Sequence, residues 1–208
     1  MASLSREFYL GDTVEIAQAL LGKYLVRRLN SELLVCRVTE TEAYVGRMDK
    51  ACHAYNYRRT ERTSTMFGPP GHAYIYLIYG MYHCLNFVTE PEGEPSAVLL
   101  RGVEVVSGAD TVSRLRFGCP AAEMTPCQRK NWMNGPGKVC KGLSLSRAEN
   151  GMDLTGNTLF LCDSPADAGL SLSLPDRRER IVCGPRIGVD YAEEAKEFPW
   201  RFRLEQED

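Results

Sequence analysis

The sequence predicts a mixed α+β fold, a single compact domain around a mainly antiparallel curved sheet, with a protruding β-hairpin and flanking helices. Three observations carry this. Alternating runs such as Leu33 to Thr41 place every second residue on one face, the pattern of a half-buried strand. Tyr74 to Val88 holds two apolar, aromatic runs folded at Gly80, the pattern of a long hairpin. No internal repeat or linker divides the 208 residues, a length within reach of one core.

The elements follow in order. Asp12-Thr13-Val14-Glu15 reads as a helix start, with Asp12 as N-cap and Glu15 in the capping-box position, and Ile16, Ala17, Leu20 and Leu21 form one stripe before Gly22 ends it. Tyr24 to Leu29 and Leu33 to Thr41 form a hairpin around Asn30-Ser31. Gly46 to Gly71 is irregular, polar and Arg-rich, and loops of that length are usually functional. After the Gly80 hairpin come a strand at Ala97 to Glu104, a helix at Asp110 to Arg116, and a partly helical connection from Gly118 to Asn134. A short helix opens at Asn134-Gly135-Pro136-Gly137-Lys138, where free amides and a Lys would suit a phosphate. Strands near Thr158 to Cys162, Ile181 to Val189 and Trp200 to Leu204, with an acidic helix around Ala192 to Lys196, complete the chain.

Composition narrows the class. Apolar residues make up 44% and charged residues 25% of the chain, which excludes disordered and fibrous proteins. No apolar run reaches membrane-spanning length, and Met1 to Arg6 lacks a signal-peptide layout. The expected location is the cytosol, or a nucleoid or nucleus reached without a cleaved signal. A formal net charge of −2 argues against non-specific coating of nucleic acid but leaves room for a local basic face. The eight cysteines show no CxxC pair, so they read as free thiols, and no metal or cofactor is expected.

Two stretches stand out chemically. In the period-two reading Leu34, Cys36, Val38, Glu40 and Glu42 share a face, which places two carboxylates on the side that should be buried. Either they are structural acids satisfied by amides or an Arg, with Arg101 a candidate partner, or an acid beside Tyr44 is the general base of a pocket. The second stretch is the Gly80 turn, where Tyr79, Met81 and Tyr82 replace the expected Asn, Asp or Gly. Its tip is either buried against the domain or an exposed apolar wedge. An acid, an aromatic-tipped hairpin and a loop carrying His53, Arg58, Arg59 and Arg62 together suit an enzyme that extrudes a base from a duplex.

The order Glu40-Thr41-Glu42-Ala43-Tyr44, Ala51-Cys52-His53, Tyr76-Leu77-Ile78-Tyr79-Gly80-Met81-Tyr82, Val98-Leu99-Leu100-Arg101, Asn134 to Lys138 and Gly184-Pro185-Arg186-Ile187-Gly188-Val189 resembles the alkyladenine (methylpurine) DNA glycosylase family from about Phe8 to Leu204. The resemblance implies a monofunctional enzyme that removes 3-methyladenine, 7-methylguanine, hypoxanthine or ethenoadenine from double-stranded DNA as a monomer. In it Glu42 is the base that activates water, Arg101 holds that acid and water, and the Ile187 carbonyl is the water's third ligand. Tyr44, His53 and Tyr76 line and stack on the extruded base. Asn86 discriminates against the amino group of guanine, and Tyr79 enters the minor groove. Arg58, Arg59, Arg62 and Lys138 are expected on the DNA backbone. The alternative is a binding module of the same architecture without chemistry, from which Glu42 with Arg101 distinguishes an enzyme. Val189-Asp190-Tyr191 departs from the pattern, which puts the pocket rim in doubt.

Overall fold

The computed structural model describes residues 2–172 and 177–207. Asp12 caps α1 (Thr13–Ala19) by accepting from the amides of Val14 and Glu15, so the helix starts where the capping residue predicts. β1 (Tyr24–Leu29) and β2 (Glu32–Val45) pair antiparallel across a turn at Asn30. β2 runs past the expected Thr41, and Glu42 lies inside it. β3 (Ala73–Ile78), β4 (Tyr82–Thr89) and β5 (Ser96–Ser107) follow, then α2 (Ala109–Phe117), α3 (Pro126–Lys130) and α4 (Pro136–Gly142). β6 (Leu159–Cys162), β7 (Glu179–Gly184) and β8 (Arg201–Gln206) close the order.

Among the described residues these strands form one antiparallel sheet in the order β3-β4-β5-β2-β1-β6, with β8 paired to β2 and β7 to β8. The fold is therefore the mixed α+β domain that the sequence predicts. β8 takes up β2 at Glu40 to Glu42, beyond the stretch that β1 occupies. β7 is shorter than the expected Ile181 to Val189. Pro185, with no N–H to continue a ladder, follows directly on Gly184, and the next residue turns its side chain inward.

One detail overturns the single-face reading of β2. Leu34, Cys36 and Val38 belong to the main core, but beyond them the core residues are Thr41, bonded to the Ala17 carbonyl of α1 at 2.7 Å, and Ala43. The pairing with β5 is irregular between Val38 and Glu40 and again between Glu40 and Thr41. The extra residue reverses the alternation. Glu42 and Tyr44 thereby face away from Val38, onto the opposite side of the sheet.

The two faces have different neighbours. Ile75, Leu85, Phe87, Val98 and Leu100 pack with Val38 against Ile16 of α1, Val112 of α2 and Val139 and Leu143 of α4. On the other face Tyr74, Val88 and Ala97 pack with Cys52, Met66 and Phe67 from the long loop. All eight cysteines are free thiols. No helix among the described residues is long and apolar enough to cross a membrane.

The end of β2 is set by close backbone contact: the Gly46 amide donates to the Pro95 carbonyl at 3.0 Å. A Cβ on Gly46 would stand 2.1 Å from that oxygen. Gly46→Ala is expected to cost about 3 kcal/mol of unfolding free energy, the upper part of the usual overpacking range, measured by urea denaturation.

Candidate active site

Strand register builds the site. Tyr74 of β3 pairs with Asn86 of β4, Asn86 with Leu99 of β5, and Leu99 with Glu42 of β2. These four residues form a row across the sheet on the face away from the helical core. Glu42 is fully buried, and both of its oxygens are occupied. Oε1 accepts from the Ile187 amide at 2.8 Å and lies 3.4 Å from Arg101 Nε. Oε2 accepts from the Tyr44 hydroxyl at 2.8 Å and from Arg101 Nη1 at 3.4 Å.

Burial raises the Glu42 carboxyl above its ordinary value, while Arg101, the Ile187 amide and the Tyr44 hydroxyl draw it back and the Glu40 charge adds to the rise. A buried acid so placed is a stronger base than an exposed one. The Tyr44 hydroxyl is pushed well upward, by burial first and then by the Glu42 charge, so it stays protonated as the donor. Glu40 has a different environment. It accepts from Arg201 Nε at 2.6 Å and Arg101 Nε at 3.3 Å and keeps some exposure. Glu40 thereby shares Arg101 with Glu42 and offsets part of its charge.

In front of the acid lies a cavity of about 740 Å³ lined by Tyr44, His53, Tyr74, Tyr76, Asn86, Arg101 and Ile187, among others, within the size range of small-molecule sites. The Asn86 amide donates to the Tyr74 and Cys84 carbonyls at 3.0 and 3.3 Å, which fixes its orientation. His53 meets the Tyr76 ring edge-on, with centroids 4.7 Å apart. Its Nε2 faces Arg62 Nη2 at 3.3 Å and its Nδ1 the Tyr74 hydroxyl at 3.3 Å. A guanidinium can only donate, so Nε2 is the acceptor and Nδ1 carries the proton. Burial, aided by the Arg62 charge, lowers His53 to about 4, and the wall it forms is uncharged at neutral pH.

The hairpin tip is exposed. Tyr79 is 81% and Met81 67% accessible, which answers the odd turn composition in favour of the wedge. Tyr79 and Gly80 both have positive φ, 53° and 70°, and Met81 N–H closes the turn on the Ile78 carbonyl. This is the backbone pattern of a type I′ turn, whose twist suits a hairpin; it holds Tyr79 in a strained, defined pose.

The basic residues expected on the DNA backbone divide. Arg58 is exposed on the long loop. Arg59 lies over the Phe67 ring at 5.1 Å, and Arg62 over Tyr76 at 4.7 Å, at the cavity itself. Lys138 Nζ donates to Asn134 Oδ1 at 2.9 Å and Asn131 Oδ1 at 3.3 Å, on the cavity rim.

Two further residues, Asp49 and Arg186, were given no role by sequence reasoning, and a third, Tyr191, was marked only as a departure at the pocket rim. Asp49 and Arg186, both with fully buried side chains, form a bidentate ion pair at 2.5 and 2.7 Å. Tyr191 spans the cavity rim and donates to the Ala51 carbonyl at 3.2 Å. Arg186 had a signal in the motif that contains it, and Tyr191 in its departure from that motif. Asp49, in a polar loop, had none.

A desolvated acid behind an aromatic cavity, with an exposed aromatic finger beside it, defines the class of the protein: an enzyme that excises bases, a DNA glycosylase. The chain belongs to the methylpurine-DNA glycosylase family, whose model, described as Methylpurine-DNA glycosylase (MPG), matches residues 7–208. Relatives named "Putative 3-methyladenine DNA glycosylase" include one from Alkaliphilus oremlandii, 47% identical over 201 residues, covering 97% of this chain and 95% of that one. Another, from Bacillus cereus strain AH820, is 46% identical over 198 residues, covering 95% and 93%. A third, from Clostridium perfringens, is 43% identical over 202 residues, covering 97% and 95%. The family makes this a DNA repair enzyme.

The neutral His53 yields a pH test. Its folded value of about 4 lies below the ordinary 6.5, so in between the unfolded chain binds the extra proton. Stability is therefore expected to fall as pH drops through that window. His53→Gln should flatten this part of the stability profile in chemical denaturation.

Proposed function

We propose that the enzyme acts as a monofunctional glycosylase, extruding alkylated or deaminated purines from double-stranded DNA and hydrolysing the N-glycosidic bond with a water activated by Glu42. The observation that carries this reading is the placement of Glu42: buried, held by three different donor groups, and separated from the aromatic cavity only by residues that line it. Glu42 takes a proton from water as the water oxygen bonds to C1′. The C1′–N bond breaks with its electron pair on the purine, leaving an abasic sugar. Arg101 and Ile187 hold the acid and the water.

Tyr44, His53 and Tyr76 enclose the base, and Asn86, fixed by its two carbonyl contacts, discriminates against the amino group of unmodified guanine, a penalty that 7-methylguanine offsets because its cationic base is a much better leaving group. An electron-rich cage with a neutral His53 suits N-alkylated purines, which are cationic and good leaving groups. The substrates that fit this chemistry are 3-methyladenine and 7-methylguanine, with hypoxanthine and ethenoadenine as neutral lesions. Arg62 lies over the Tyr76 face. Arg62, with Arg58, Arg59 and Lys138, supplies cationic donors for the phosphate backbone. Tyr79 fills the gap in the duplex. The enzyme is read as a monomer, and no lysine stands in the catalytic motif as a Schiff-base nucleophile.

The purified enzyme is expected to convert a duplex carrying one hypoxanthine, ethenoadenine or 3-methyladenine into alkali-labile abasic DNA under single-turnover conditions. Inactivity of folded protein on all three would reject the reading. Glu42→Gln should keep lesion binding and lose about 10³-fold or more in rate, within the range for removing a general base; a wild-type rate would remove Glu42 from the role. Tyr79→Ser should weaken base flipping, read by the fluorescence of ethenoadenine or 2-aminopurine, while leaving the melting temperature nearly unchanged. An equal loss of both would assign the tip to packing.

A further inference from the structure

We propose that the buried Asp49–Arg186 pair is a positioning device for the hydrolysis, one that holds the Ile187 amide and the Tyr44 hydroxyl on the Glu42 carboxylate. The inference rests on Glu42 being the base.

The pair lies at the meeting point of four segments. Arg186 Nη1 donates to the Ala43 carbonyl at 2.8 Å, and Ala43 lies between Glu42 and Tyr44 in β2. Its Nη2 donates to the Ala195 carbonyl at 3.0 Å, in the turn of 3₁₀ helix at Glu193–Glu197. Asp49 accepts from the Ala51 amide at 2.9 Å and the Val45 amide at 3.4 Å. The Arg186 guanidinium also stacks against two rings, 4.7 Å from the Tyr44 centroid and 5.2 Å from that of Trp200. It therefore supports Tyr44 through its ring, and Ile187 through the chain, since Ile187 is the next residue.

Stability alone is a poor reason for such a pair. Desolvating two charges offsets most of their attraction, and an apolar pair of similar volume commonly serves as well. Here the cost is raised further, because Arg186 Nε is buried without a hydrogen-bond partner. What the apolar pair could not do is place a rigid fork on the Ala43 and Ala195 carbonyls at once. The charged and titratable groups acting on Glu42 are Arg101, Tyr44 and Glu40, with Arg186 itself and Cys84 coupled to it from further away, and Arg186→Lys keeps the Arg186 charge while removing its fork. Of its donors, Arg101 comes from β5, and the other two, Ile187 and Tyr44, are those the pair supports.

The test compares Asp49→Asn and Arg186→Lys with wild type, using a lesion that wild type excises. Glu149→Gln serves as a stability control, since it breaks the largely buried Arg27–Glu149 pair at 2.8 Å. Single-turnover rates are measured from about pH 5 to about pH 9, with binding to a duplex that carries an abasic analogue. With the pair broken, both variants are expected to lose about 30- to 100-fold in rate, the scale of a small misplacement of a reacting group, with analogue binding nearly unchanged. The acidic limb of the rate profile should move to higher pH, because Glu42 loses donors that favour its charged form. Glu149→Gln should lower the melting temperature and leave that limb in place.

Tyr44→Phe deletes one of the held donors without breaking the pair and should move the limb the same way. An unmoved limb in Tyr44→Phe, or folded pair variants with a wild-type limb, overturns the proposal, and the Tyr44 result decides if neither pair variant folds. Wild-type inactivity on every lesion, or an active Glu42→Gln, would instead reject the reading on which the inference rests.

Discussion

The rest of the site depends on keeping a carboxylate out of water. Glu42 has no exposed surface, and an ion in that position is tolerated only if its lone pairs are met by donors. The protein brings them from separate places: Tyr44 two residues along the same strand, Arg101 from the irregular stretch of β5, and Ile187 from the loop after β7. Each delivery explains a feature that would otherwise look arbitrary. The irregular pairing aims Glu42 away from the helices, Glu40 shares Arg101 with it, and β7 stops early so that the chain can turn Arg186 and Ile187 toward β2.

The cavity in front follows from the same economy. Its aromatic walls remain neutral at ordinary pH, with His53 held low and Tyr44 held high by burial, and Arg101 stands among them beside Glu42. Arg62 and Lys138 add positive charge along the lining, and Arg58 is exposed on the same long loop as Arg62. A formal net charge of −2 is compatible with such a local concentration, since a total says nothing of where the charges lie.

Much of this was legible beforehand, and what was not has a physical reason. Alternation found the strands, Asp12 found the start of α1, and the odd residues at Gly80 marked the tip. Glu42 stood out as an acid where an apolar residue was due. The reversal between Val38 and Thr41 was invisible because one extra residue in a long strand leaves no compositional trace. Period two therefore put Glu42 on the wrong face even while picking out the right residue. The Asp49–Arg186 pair joins positions 137 residues apart, and nothing local in either segment announces the other. β7 was drawn too long because Ile181-Val182-Cys183 reads as the start of a longer apolar run, and the stop lies in the missing amide of Pro185. Family resemblance, not periodicity, supplied the individual roles of the pocket residues.

The strands at the centre of the sheet carry two jobs on alternate residues. In β4, Leu85 and Phe87 belong to the helical core while Cys84 and Asn86 line the cavity; in β5, Val98 and Leu100 do the first and Leu99 and Arg101 the second. Core packing and cavity lining are thus interleaved at single-residue spacing. A tolerance map of these strands would look like two superimposed combs, one whose teeth report abundance and one whose teeth report activity in a protein of normal abundance. The lining can therefore change along one comb while the other keeps the sheet intact.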